Sequence, residues 1–87
     1  MMKQQGMTVS QCHTVRDAFH RHGNTCWKLY VGTLSGLISK EDARIRLPYL
    51  EGNRRRLMRV YGCQHKWRHA LEWSVDNHDK LSNLMRV

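Results

Sequence analysis

Between Gln64 and the C-terminus, Trp67, Leu71, Ser74, His78, Leu81 and Met85 recur at alternating intervals of four and three residues. At about 100° per residue they fall within roughly 40° of one line, the signature of a helix with one buried stripe. Ala70 and Val75 flank that line, while Arg68, Glu72, Asp76 and Asp79 lie opposite it. A strand would need a period of two, and a helix with a single apolar stripe needs other helices to cover it. The rest of the chain supplies them.

Thr8 and Gln11 have capping-box spacing, and Met7 is placed to pack on Cys12 as a hydrophobic staple. Val9, Cys12, Val15 and Phe19 then share one face of a helix expected to end near Gly23, with Arg16, Asp17 and Arg21 on the other face. His20 and His22, just before that glycine, suit a helix C-terminus through the dipole. Asn24 or Thr25 can cap a second helix with Trp27, Tyr30, Val31 and Leu34 as its buried face. Gly36 stands where a helix C-cap favours positive φ, and Ser39, with Asp42 three residues on, opens the next helix.

Pro48 disfavours helical geometry at Leu47, so the third helix is expected to be short or to kink there, with the next helix starting at Pro48 or after Gly52 with Asn53 as its cap. On the later start, Arg54, Arg55 and Arg56 would crowd the positive end of the helix dipole, at a few tenths of a kcal/mol each. Gly62 breaks the pattern once more. The expected architecture is all-α: a small single-domain bundle of four or five helices with a long C-terminal helix, spanning 7–87 after a flexible polar lead, 1–6.

At 87 residues there is room for one modest core, and a hydrophobic fraction of 40% leaves a dimer or a partner as a plausible source of added stability. A membrane span would need about 18 consecutive apolar residues, and neither such a run nor a secretory leader is seen, so a cytoplasmic protein is expected. Cys12, Cys26 and Cys63 are an odd number without close pairing, which fits free thiols in a reducing compartment.

The net charge of +8 points to an acidic partner. Between Arg54 and His69 stand Arg54, Arg55, Arg56, Arg59, Lys66 and Arg68 without one carboxylate, interleaved with Tyr61, His65 and Trp67. Cations set among rings are suited to phosphates and stacked bases. Trp73 falls about 120° off the C-terminal stripe, near Lys66, Lys80 and Leu84, and is expected to be partly exposed, as a stacking platform or interface anchor would be, unless a second helix covers that flank. Residues 26–46 resemble a helix-turn-helix weakly: Lys40, Arg44 and Arg46 would face a groove, but Ser35 and Asp42 occupy positions that motif fills with apolar residues.

Cys63, His65 and His69 form a C-x-H-x-x-x-H array, half of a zinc site, which Cys12, His13 or Cys26 would have to complete across the fold. No C-x-x-C knuckle accompanies it, so no metal or other cofactor is expected, and His78 on the apolar stripe reads as a hydrogen-bonded core histidine. The acidic residues are scattered, and neither a G-x-S-x-G elbow nor a phosphate-binding glycine loop occurs. The expectation is therefore not an enzyme. It is a small basic nucleic-acid-binding regulator or accessory protein that contacts phosphates of DNA or RNA through its arginine-rich segment. The alternative is an inhibitor or adaptor of the kind mobile elements and phages encode, docking on an acidic surface of a host protein or nucleoprotein complex.

Overall fold

A computed structural model describes residues 8–61 and 67–86, all of them helix or connecting turn. Three helices, not four or five, make up this part: α1 (Val9–Leu34), α2 (Lys40–Tyr61) and α3 (Arg68–Arg86). The expected start of α1 is present in full, with Gln11 N donating to Thr8 Oγ1 at 3.0 Å and Thr8 N donating to Gln11 Oε1 at 2.8 Å. Met7, its proposed staple, lies outside the described residues, as do Cys63, His65 and Lys66 and the expected break at Gly62. At the hairpin turn Gly36 takes φ 83°, and Asp42 N donates to Ser39 Oγ at 3.1 Å.

The expected breaks at Gly23 and around Pro48 to Gly52 do not occur. Gly23 is buried inside α1, and a Cβ there would stand 2.3 Å from Trp73 Cδ1 and 3.1 Å from Ser74 Cα. It is a contact glycine: it lets α1 and α3 approach closely, and no helix end is needed there. His20 and His22 therefore do not sit at a C-terminus. Pro48 lies on the exposed side of α2, so water can satisfy the Arg44 carbonyl that the missing N–H leaves without its ladder partner. Because α2 begins at Lys40, Asn53 caps nothing and Arg54 to Arg56 lie far from its positive end; Arg59 stands in the last turn, where the dipole favours a cation.

An unbroken α1 also keeps its helical phase. Val15, Phe19, His22, Cys26 and Leu29 are buried, at spacings of four, three, four and three. The face expected for a separate second helix is wrong by most of its members: Trp27, Val31 and Leu34 are exposed, and Tyr30 is half-buried. The stripe of α3 agrees well with expectation, since Trp67, Ala70, Ser74, His78, Leu81 and Met85 are buried and Leu71 and Val75 half-buried; Asn77 is a further buried member.

The chain runs up, down and up. His22 meets Ser74 and Cys26 meets His78, both 52 residues apart, so α1 and α3 run parallel in a constant register. α2 returns antiparallel, with Ala43 and Leu50 against Cys26 and Leu29 at one end and Leu57 and Tyr61 against Val15 and Phe19 at the other. After α2, Trp67 is buried and its Nε1–H donates to the Tyr61 carbonyl at 2.9 Å, satisfying one of the orphan acceptors at that helix end. The two rings meet edge to face.

Candidate functional site

Two features stand apart from ordinary bundle packing: the outward face of α2 and a polar layer across the core. α2 is the least embedded helix. Among its residues only Ala43 and Leu50 are buried, against six in the shorter α3. With Leu50 turned to the core, helical geometry places Arg44, Ile45, Tyr49, Arg55, Arg56 and Arg59 on the far half of the cylinder. All of these and Arg46 are exposed, Tyr49 at 76% and Ile45 at 66%. From Arg44 to Arg59 the face runs about 22 Å. The sole carboxylate in that interval, Glu51, is exposed as far round from Leu50 as Tyr49 on the opposite flank, one turn before Arg55, with which it lines a cleft against α3.

The arginine cluster read from the sequence is divided by the fold. Arg55, Arg56 and Arg59 are exposed on α2, whereas Arg54 is half-buried on its inward flank and pairs with Asp79 of α3 at 3.3 Å. Arg68 belongs to another helix and pairs with Glu72 at 3.4 Å. Arg44 and Arg46, weaker candidates from the helix-turn-helix comparison, join Arg55, Arg56 and Arg59 on the exposed surface of α2, and Lys40 is its first residue. The hairpin that carries them joins helices of 26 and 22 residues.

Trp73 is 39% exposed, and its contacts run to α1. Its Nε1–H donates to Asn24 Oδ1 at 3.0 Å, its ring lies on Gly23, and it meets Trp27 at 6.3 Å between centroids. Lys80 Nζ stands 5.5 Å from the centre of the Trp27 ring, a cation–π contact. Trp73 thus closes the α1–α3 seam. It is built into the fold to a degree that its angular position on the helix did not reveal.

The polar layer separates two hydrophobic clusters. On one side pack Cys26, Leu29, Ala43, Leu50, Leu81 and Met85; on the other, Val15, Phe19, Trp67 and Ala70. Between them His22, Ser74, Asn77 and His78 are all buried. His22 is held at both nitrogens: Nδ1 is 2.6 Å from Ser74 Oγ and Nε2 is 3.0 Å from the Leu50 carbonyl. That carbonyl can only accept, so Nε2 carries the proton and Ser74 donates to Nδ1. The His78 ring stacks on His22, centroids 5.3 Å apart.

Cys26 Sγ lies 3.8 Å from His22 Nε2 and 3.9 Å from His78 Nδ1. Burial pushes this thiol up to about 11, so at neutral pH it is protonated and a poor nucleophile. Desolvation lowers both histidines below their usual range; the nearby Arg54 charge adds to this, while the Leu50 bond opposes it at His22 and Glu51 and Asp79 oppose it at His78. Two neutral imidazoles and a thiol therefore meet in the middle of the bundle. Asn77 Nδ2, in the same layer, is buried without a hydrogen-bond partner among the described residues.

Sequence reading placed His78 in the core but did not join it to His22 and Cys26. The i, i+4 spacing of His22 and Cys26 was visible, yet reading Gly23 as a helix end put those two residues on different elements. Of the C-x-H-x-x-x-H array, only His69 is described, and it is fully exposed beside Glu72. No helix of the described residues is long and apolar enough to cross a membrane. Comparison with protein-family models, curated proteins and solved structures gave no match.

Proposed function

We propose that the chain is a nucleic-acid-binding accessory protein whose contact surface is the outward face of α2. The observation that carries this reading is the set of four exposed arginines, Arg44, Arg55, Arg56 and Arg59, on the outward half of one lightly embedded helix, with Arg46 exposed on its inward flank. Exposed arginines contribute little to folding, and their guanidinium forks suit phosphate oxygens. Each phosphate neutralised releases counterions, so affinity comes from this face without any base-specific contact. Tyr49, exposed in the midst of the arginines, offers a ring for stacking on an unpaired base.

Gly52 supports the same surface. It lies inside α2, where glycine costs about 1 kcal/mol relative to alanine, and a Cβ there would meet nothing within 4 Å. Gly23 is explained by Trp73 and Gly32 by Ile38, whose Cδ1 would be 2.6 Å from a Cβ. Among the described residues Gly52 has no such neighbour, and close approach of a partner's backbone to α2 would account for it.

A protein partner is the second reading, favoured by Ile45 at 66% and Leu37 at 87% exposure, hydrocarbon for which a phosphate backbone has no use. Fluorescence anisotropy with labelled duplex DNA, single-stranded DNA and RNA, repeated across a range of salt, separates the two. The nucleic-acid reading expects binding at low salt that weakens linearly in log–log form, while absence of binding to all three probes at low salt would leave the acidic protein surface as the target.

A further inference from the structure

We propose that His22, Cys26 and His78 form a binding site for one thiophilic divalent metal ion of the zinc type. The three donor atoms come from two helices and all lie within 4.8 Å of one another. A tetrahedral zinc ion with Zn–S near 2.3 Å and Zn–N near 2.0–2.1 Å sets its sulfur and nitrogen ligands about 3.6 Å apart. Cys26 Sγ already stands 3.8 Å from His22 Nε2 and 3.9 Å from His78 Nδ1. The sulfur-to-nitrogen edges need little contraction, but the His22 ring must turn off the Leu50 carbonyl, 3.0 Å from Nε2, and the two stacked imidazoles must tilt so that both lone pairs converge on the ion.

The surroundings supply an orienting partner for one of the two imidazoles. A metal-bound histidine ordinarily donates from its other nitrogen, which fixes the ring. His22 has that partner in Ser74 Oγ, 2.6 Å from Nδ1. On binding, the His22 proton moves from Nε2 to Nδ1 and the Nε2 lone pair turns to the ion. The Leu50 carbonyl loses a second donor but lies within α2, where the helix ladder supplies its first. The Cys26 thiol has no good hydrogen bond to give up, since both its contacts are long; it binds as thiolate and releases one proton to solvent.

Access is provided on the α2 side. His78 lines a cleft of about 730 Å³ together with Glu51, Arg54 and Asp79. Arg55 and Arg86 line it too, so its cations outnumber its carboxylates, and an ion would enter past His78 beside the Arg54–Asp79 pair, 3.3 Å apart. Three protein ligands with an open fourth place are the arrangement of a metal ion that retains exchangeable chemistry.

The test uses cobalt(II) as a coloured substitute in the full chain carrying Cys12→Ser and Cys63→Ser, which leaves Cys26 as the single thiol. Titration should give one equivalent bound, with a near-ultraviolet thiolate-to-cobalt band and visible bands of tetrahedral intensity, all displaced by zinc. Adding His78→Gln should weaken binding at least tenfold, with far-ultraviolet circular dichroism reporting that the helices persist. If the single-thiol protein is folded and shows no thiolate-to-cobalt band, or if the band survives His78→Gln undiminished, the site as assigned is wrong. A band present in the parent but lost in the single-thiol protein would assign the ion to Cys12 or Cys63 and likewise overturn it.

Discussion

Replacing each of two helix glycines with alanine should move stability in opposite directions. At Gly23 the new methyl would lie 2.3 Å from Trp73 Cδ1, 2.7 Å from Trp73 Nε1 and 3.1 Å from Ser74 Cα. The indole is not a loose end, since its Nε1–H is bonded to Asn24, and the Ser74 contact is backbone. Either the bond breaks and Trp73 swings outward or α3 moves away from α1. Overpacking of this kind costs about 1–3 kcal/mol, and loss of the hydrogen bond about 1 kcal/mol more, against a helix-propensity gain of about 1 kcal/mol. The net expectation for Gly23→Ala is a loss of about 1–3 kcal/mol. At Gly52 the methyl meets nothing, so only the propensity gain of about 0.5–1 kcal/mol remains. For a domain of this size each kcal/mol moves Tm by about 4–8 °C, well within reach of thermal circular dichroism. A Gly23→Ala protein that melts as high as Gly52→Ala would refute the close-approach account of the α1–α3 seam.

Trp73→Ala should lower stability by about 2 kcal/mol, because it removes the bond to Asn24 and the cover over Gly23, and should leave the salt slope of nucleic-acid binding unchanged; an unchanged melt with weakened binding would restore Trp73 to the contact surface. In chelator-treated buffer, stability should be greatest above about pH 6.5 and fall as pH drops below it. The sign follows because burial lowers His22 and His78 in the folded state, so the unfolded chain binds protons first. Two such groups set a ceiling of about 2.7 kcal/mol per pH unit on the slope, and a chemical-denaturation series from pH 7.5 to about 5 that stayed flat would show that the polar layer is not held neutral.

The parts of this fold governed by local chemistry were legible in the residues. The Thr8–Gln11 capping box, the left-handed Gly36 and the Ser39 cap depend on neighbours three or four positions away, and the α3 stripe is a single uninterrupted period. What went unread depended on partners distant along the chain. Gly23 looks like a terminator until Trp73, fifty residues on, is laid across it, and misreading it left the Val15–Phe19 face right but reset the phase of the second half of α1, putting exposed Trp27, Val31 and Leu34 where Leu29 is buried. The same misreading separated His22 from Cys26, so their meeting with His78 had no sequence signature. Pro48 was read by rule as a break; its outward position in α2, set by the burial of Leu50, is what lets the helix pass through it. The arginine run was visible as composition, but its division into an outward set and an Arg54–Asp79 pair required the third helix.

The outward face of α2 is tested most directly by the salt dependence of nucleic-acid binding in the parent and in Arg55→Ala/Arg59→Ala. Both side chains are exposed, one helical turn apart, so the double variant should keep its melting temperature within about 2 °C while log Kd against log salt loses about two units of slope. Weaker binding with that reduced slope is the result expected if α2 lies along a phosphate backbone. Binding equal to the parent's, with the same slope, would contradict it.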